Sequence, residues 1–224
     1  MGAFHHNPLI SGSAAAWDEL IAATDPASLL VIIEARMGPR LRSLHTPEDV
    51  FQEALLHAWR DRTRCEWRGV KAFRSWLLTI IDHRIADLAE AAAAKKRGGA
   101  TPVATMPQIS TAGDTGPAGP IDSTTPSKIA IYREQAAAVR EALLRLPPEL
   151  AAVLQLRLLE QLTCEEVAAK LGIGESAVRH RFRKAALLYR RCLTQALRSR
   201  TRAEQTRLEE NATRSTSVSA TELE

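Results

Sequence analysis

Residues 163–184 read TCEEVAAKLGIGESAVRHRFRK, and this stretch decides the architecture. Thr163-Cys164-Glu165-Glu166 has the spacing of a capping box, with Thr163 at the cap and Glu166 three residues on. Val167, Ala168 and Leu171 then form a short inward face, and Gly172 suits the left-handed residue just past a helix end. Ile173 can plug the core from the turn, and Gly174 can cap the next helix. That second helix places Val178, Phe182, Ala185 and Tyr189 inward, with Ser176, Arg179, His180, Arg183 and Lys184 on the opposite face. Two short helices joined by a tight Gly turn make a helix-turn-helix, whose second helix is built to enter a DNA major groove.

Charge supports that reading. From Ser176 through Ala203 there are nine Arg or Lys residues and no Asp or Glu. A solvated surface helix usually mixes signs to gain i, i+4 pairs, and this one does not. Phosphates would supply the missing anions, and Arg also reads guanine edges. A basic helix that only solubilises its domain is the plain alternative, and the run alone would favour it. With a capped helix, a Gly turn and a second helix in register, DNA binding is the stronger reading.

Upstream of this unit, Leu146-Pro147-Pro148-Glu149 stops one helix, begun near Ile129, and starts another with Leu150, Val153 and Leu154 inward. Further back the composition shifts: residues 98–127 are rich in Gly, Pro, Ser and Thr and poor in large apolar side chains, as a flexible tether would be. Before it lies a second helical lobe. Thr46-Pro47-Glu48-Asp49 marks a helix start, with a capping Thr, Pro at the first helical position and two acids at the positive end of the dipole. Phe51, Ala54, Leu55 and Ala58 form its inward stripe. A following helix carries Phe73, Trp76, Leu77, Ile80, Ile81, Ile85 and Leu88 on one broad face. Earlier helices occupy residues 14–36, broken at Asp25-Pro26 and ended at Gly38-Pro39.

These readings predict an all-α chain of two helical domains on a flexible linker. Its parts are residues 1–97, a linker at 98–128, a helix-turn-helix domain at 129–200, and a C-terminal extension at 201–224 that frays and is then disordered. Aromatics are only 4% of the 224 residues, against 45% hydrophobic, which favours Ala/Leu/Arg/Glu helices over strands. The net charge is only +4 and the pI about 9.2, so clustering carries the nucleic-acid argument, not the total. Cys65, Cys164 and Cys192 lack metal or disulfide spacing, which points to reduced thiols in a cytoplasm. No signal-peptide pattern, membrane-length apolar run, phosphate-binding Gly loop, H-E-x-x-H or nucleophile motif is visible. No catalytic residue, cofactor or metal is expected.

Glu48-Asp49-Val50-Phe51-Gln52-Glu53-Ala54-Leu55-Leu56-His57-Ala58-Trp59-Arg60 resembles the most characteristic segment of extracytoplasmic-function (ECF) sigma factors of bacterial RNA polymerase, in the sigma-70 family. So does Phe73-Arg74-Ser75-Trp76-Leu77-Leu78-Thr79-Ile80. Leu146-Pro147-Pro148-Glu149 with the helix-turn-helix resembles the start of the family's second DNA-binding domain. The order and spacing of these segments match across residues 14–197.

The resemblance implies a first domain (region 2) that docks on the beta-prime clamp helices of core polymerase and captures the melted −10 strand. Docking would fall to Asp49, Gln52, Glu53, Leu56 and Arg60, an acidic and amide-bearing face around one exposed leucine; from the residues alone, a solvated face with a stray leucine is the better reading, and the docking role comes from the resemblance. The −10 strand would be gripped by the loop at about 62–70 and the helix after it. Trp67 would stack on bases, with charge from Arg62, Arg64, Arg68, Lys71 and Arg74. His83 stands where the family often has Asn. The second domain (region 4) would read the −35 element through Ser176, Arg179, His180, Arg183 and Lys184. The implied partners are core RNA polymerase and promoter DNA, with an anti-sigma factor as a regulator in trans, and no membrane insertion. A conventional helix-turn-helix regulator acting without polymerase is the main rival; it would usually need a dimer interface, and no long heptad seam is present to supply one.

Overall fold

The computed structural model describes residues 7–10, 12–96 and 126–221. Among them, regular structure is entirely helical: α1 (Ala14–Ala23), α2 (Pro26–Arg36), α3 (Pro39–Arg42), α4 (Pro47–Arg60), α5 (Val70–Lys96), α6 (Pro126–Leu144), α7 (Pro148–Leu154), α8 (Cys164–Leu171) and α9 (Glu175–Thr221). The chain divides into two units, Met1–Ala136 and Ala137–Glu224.

In the first unit, local chemistry sets each helix start. Asp25 adopts a left-handed conformation (φ 58°) and its carboxylate accepts from the Ser28 amide, so α2 opens on Pro26 with a satisfied cap. Residues Pro26 to Ile33 are all buried, which suits a helix apolar on every side. Thr46 and Asp49 exchange capping bonds, each 3.1 Å, at the head of α4. The expected inward stripe of α4, from Phe51 to Ala58, is buried, and α4 packs against both α2 and α5. From α5, Phe73, Leu77 and Ile81 are fully buried, while Trp76, Ile80, Ile85 and Leu88 are half-buried. Trp17 sits edge-on to Trp59 and Phe73 with centroids at 5.1 and 5.8 Å, an arrangement aromatic quadrupoles prefer. Arg36 meets Asp82 at 2.6 Å, and Arg40 donates to the Ala92 carbonyl, fixing α5 along its length.

Two expectations change. The expected linker at 98–128 lies outside the described residues except for its last three positions, and these are already helical, because Pro126 is suited to a first turn. The first turns of α6 belong to the first unit: Ile129 is buried and Lys128 pairs with Asp18 of α1. The extension after residue 200, expected to fray and become disordered, is helix through Thr221. No Gly or Pro occurs from Glu175 onward, so nothing in the backbone chemistry ends α9 where the composition changes.

Candidate nucleic-acid interface

The second unit builds the helix-turn-helix as its sequence specifies. At the start of α8 the Thr163 hydroxyl accepts from the Glu166 amide at 3.2 Å, and the Glu166 carboxylate accepts from the Thr163 amide at 2.6 Å. Gly172 ends the helix at φ 64°, ψ 33°, where a Cβ would be strained. The Ile173 amide donates to the Ala168 carbonyl at 3.1 Å, and the Val178 amide to the Gly174 carbonyl at 3.1 Å, joining turn to second helix. Val153, Leu156, Val167 and Val178 form the buried centre, ringed by Leu162, Cys164, Ala168, Leu171, Ile173 and Phe182. With that face buried, Ser176, Arg179, His180, Arg183 and Lys184 are all exposed on the other side of α9.

One of these cations is already engaged. Arg179 pairs with Glu175 one turn back, an exposed contact that contributes little and can be exchanged for a phosphate. A further contributor was not singled out from sequence: Arg157, in the π-helical turn Gln155–Leu159, lies 5.3 Å over the Phe182 ring and donates to the Leu162 carbonyl. It ties the π turn to Phe182 of α9 and to the segment that leads into α8. Nothing in local spacing reveals it, because the π turn shifts the side chains out of ordinary helical register.

In the first unit, the loop between α4 and α5 begins with the 3₁₀ turn Arg62–Arg64. Arg62 lies 4.0 Å over the Trp59 ring and donates to the Trp59 carbonyl at 2.8 Å. Arg64 is exposed beside Asp61 at 3.2 Å, and Arg68 is exposed beside Glu66 at 2.7 Å. Trp67 is half-buried, and Lys71 and His83 are exposed.

Arg74 corrects the sequence reading. It is only 2% exposed, so it offers no surface charge to a DNA strand. Burial pulls its guanidinium below the ordinary arginine value, and the Asp25 carboxylate pulls in the opposite direction. The reason is register: Leu77 and Leu78, three and four residues on, are buried, and Arg74 shares their face.

The proposed docking face on α4 is also more internal than expected. Asp49, Gln52 and Arg60 are exposed, but Leu56 is half-buried, not fully exposed. Glu53 is half-buried and lies 2.5 Å from Arg84 of α5. His57 next to it is held below the usual histidine range, first by burial and then by the charges of Arg84 and Arg60.

Residues 33–95 match the sequence model described as Sigma-70 region 2, and residues 136–187 match that described as Sigma-70, region 4. The chain is 28% identical over 179 residues to the ECF RNA polymerase sigma factor ShbA of Streptomyces griseus subsp. griseus, covering 80% of this chain and 87% of that one. It is 33% identical over 145 residues to the ECF RNA polymerase sigma factor SigD of Mycobacterium tuberculosis, covering 65% of this chain and 62% of the relative. A chain in a solved RsbN–BldN complex aligns with 22% identity over 81% of this chain and 94% of that one, at a TM-score of 0.29.

Proposed function

The chain belongs to the sigma-70 family as an ECF sigma factor of bacterial RNA polymerase, and we propose that its two units divide promoter recognition between named residues. A sigma factor directs polymerase to promoters, and bond formation stays with the polymerase. No membrane-spanning helix is present among the described residues, and the proposed place of work is the cytoplasm, where the polymerase is.

In this reading the second unit reads the −35 element with Ser176, Arg179, His180, Arg183 and Lys184. Arg and Lys suit guanine edges and phosphates, and Ser176 and His180 suit further polar contacts at the head of the helix. The first unit grips the melted −10 strand with Arg62, Arg64, Arg68 and Lys71 on the backbone, Trp67 against a base, and His83 from α5. Asp49, Gln52, Leu56 and Arg60 meet the beta-prime clamp helices, with Glu53 shared between that partner and Arg84. The functional division follows residues 1–97, 98–128 and 129–200, with α6 starting inside the tether at Pro126. An anti-sigma factor covering either face would control the protein in trans.

The observation that carries the reading is the capped α8, left-handed Gly172 and exposed basic face of α9, in a chain that also carries a region 2 match. The test is transcription in vitro from a promoter library with core polymerase, with and without this protein. Initiation at a defined set of promoters that requires the protein supports the reading. Tight binding of the protein alone to duplex DNA, without initiation, would make it an ordinary regulator.

A further inference from the structure

The basic run on α9 is longer than a −35 element needs. At 3.6 residues per turn, His180, Lys184, Leu187, Arg191, Arg198 and Arg202 fall on one side of the helix, and all six are exposed. The buried residues Val178, Ala185, Tyr189 and Ala196 fall on the opposite side, so the direction of this stripe is fixed by packing. Arg200, on the buried side, is 3.6 Å from Glu141, which anchors the distal end of the packed face to α6. From His180 to Arg202 the stripe runs about 33 Å at ~1.5 Å per residue. A major groove is only about 12 Å wide, and recognition helices use their first turns for base edges. The later turns therefore extend beyond the groove, where the anions that a bound duplex offers are its backbone phosphates.

We propose that Arg191, Arg198 and Arg202 form a phosphate-binding surface for the duplex flanking the −35 element, continuous with the recognition residues. The proposal rests on the −35 assignment made above and extends it. Three observations favour DNA over a protein occupant. The stripe shares its face with His180 and Lys184, so the ligand that reaches those residues is already adjacent. No acid occurs from Ser176 through Ala203, and among the described residues no carboxylate pairs with Arg191 or Arg198. The stripe holds one large apolar residue, Leu187, at 68% exposure, which is too little for a hydrophobic protein anchor but suits the edge of a groove that presents thymine methyls.

The test uses holoenzyme reconstituted with the full chain, and measures promoter affinity as a function of salt. Each phosphate contact contributes about 0.9 to the slope of log affinity against log salt. The triple variant Arg191→Gln/Arg198→Gln/Arg202→Gln keeps residues of similar helix propensity, and its circular dichroism checks that α9 still forms. The expected result is a slope smaller by about 2–3 and at least about tenfold weaker binding, with the same promoters selected. The corresponding Lys triple variant should restore the slope, because charge and not shape is at issue. Equal slopes for the wild type and the Gln variant would overturn the proposal. So would reduced transcription at an unchanged slope, which would assign the stripe to a protein. If the wild-type holoenzyme selected no promoter at all, the sigma-factor assignment itself would fall, whatever the slopes.

Discussion

The Glu53 carboxylate on α4 and the Arg84 guanidinium on α5 meet at 2.5 Å, with Asp87 at 3.2 Å on the other arm of Arg84. The pair staples the two helices of the first unit at the face proposed to meet polymerase. Both partners keep some exposure, so the staple contributes no more than about 1 kcal/mol. A charge reversal at Glu53 thus changes docking and packing together. Arg84→Met separates them: its melting temperature should fall slightly, while affinity for core polymerase stays within about twofold. Leu56→Arg should do the opposite, losing at least tenfold in affinity, or about 1.4 kcal/mol, with little change in melting. Fluorescence anisotropy with labelled chain and core polymerase reads the first quantity, and calorimetry the second.

Thr163→Ala should destabilise α8 by about 1 kcal/mol, because the hydroxyl that accepts from the Glu166 amide is lost, leaving only the bond from the residue 163 amide to the Glu166 carboxylate. Global melting blurs this in a chain of two units. Hydrogen exchange of the amides from Val167 to Leu171 is the sharper readout, and these should exchange several-fold faster. Thr163→Ser should restore protection.

Arg183→Ala should cost about 1–3 kcal/mol in promoter binding and relax selection at one or two −35 positions if it reads a base edge. If it serves only a phosphate, binding weakens evenly across sequences. Selection from a randomised −35 library distinguishes these outcomes.

Trp67→Ala should leave closed-complex affinity nearly unchanged and impair strand opening. A stacked base is worth about 1–3 kcal/mol, so the open complex should be populated roughly ten- to hundredfold less. Permanganate reactivity of unpaired thymines in the −10 region measures it.

The first unit should lose stability as pH falls below about 6.5, because folded His57 resists a proton that the unfolded chain accepts freely. The sign is set by the lowered value: the contribution is whole above the unfolded value and is lost as pH drops through the folded one. Asp49 acts the same way at lower pH. Its hydrogen bonds with Thr46 hold its carboxyl below 3.8, so that contribution survives until stronger acid. His57→Gln should flatten the pH profile near 6 while leaving the acid limb intact, as followed by urea unfolding at a series of pH values.

The helix starts and stops were legible because their chemistry is local. Thr46 and Thr163 cap where their spacing to Asp49 and Glu166 says they should, and Gly172 turns left-handed at the helix end. The exposed basic face of α9 was legible from periodicity. Arg74 was misread because its charge outweighed its position, yet its three- and four-residue spacing to Leu77 and Leu78 marked it as inward. Arg157 could not be read, since its partners Phe182 and Leu162 are brought to it by the fold and by a π turn. The continuation of α9 to Thr221 was missed for a different reason: a change from Arg/Glu to Ser/Thr looks like an ending, but composition alone does not break a hydrogen-bonded ladder.

That uninterrupted ladder from Glu175 to Thr221 makes the residues proposed to face the groove and the last turns of α9 parts of one helix. A grip on its last turns would twist or tilt Arg179 and Arg183 directly, with no hinge residue between to absorb the motion. The proposed reading head and the helix beyond it are one piece.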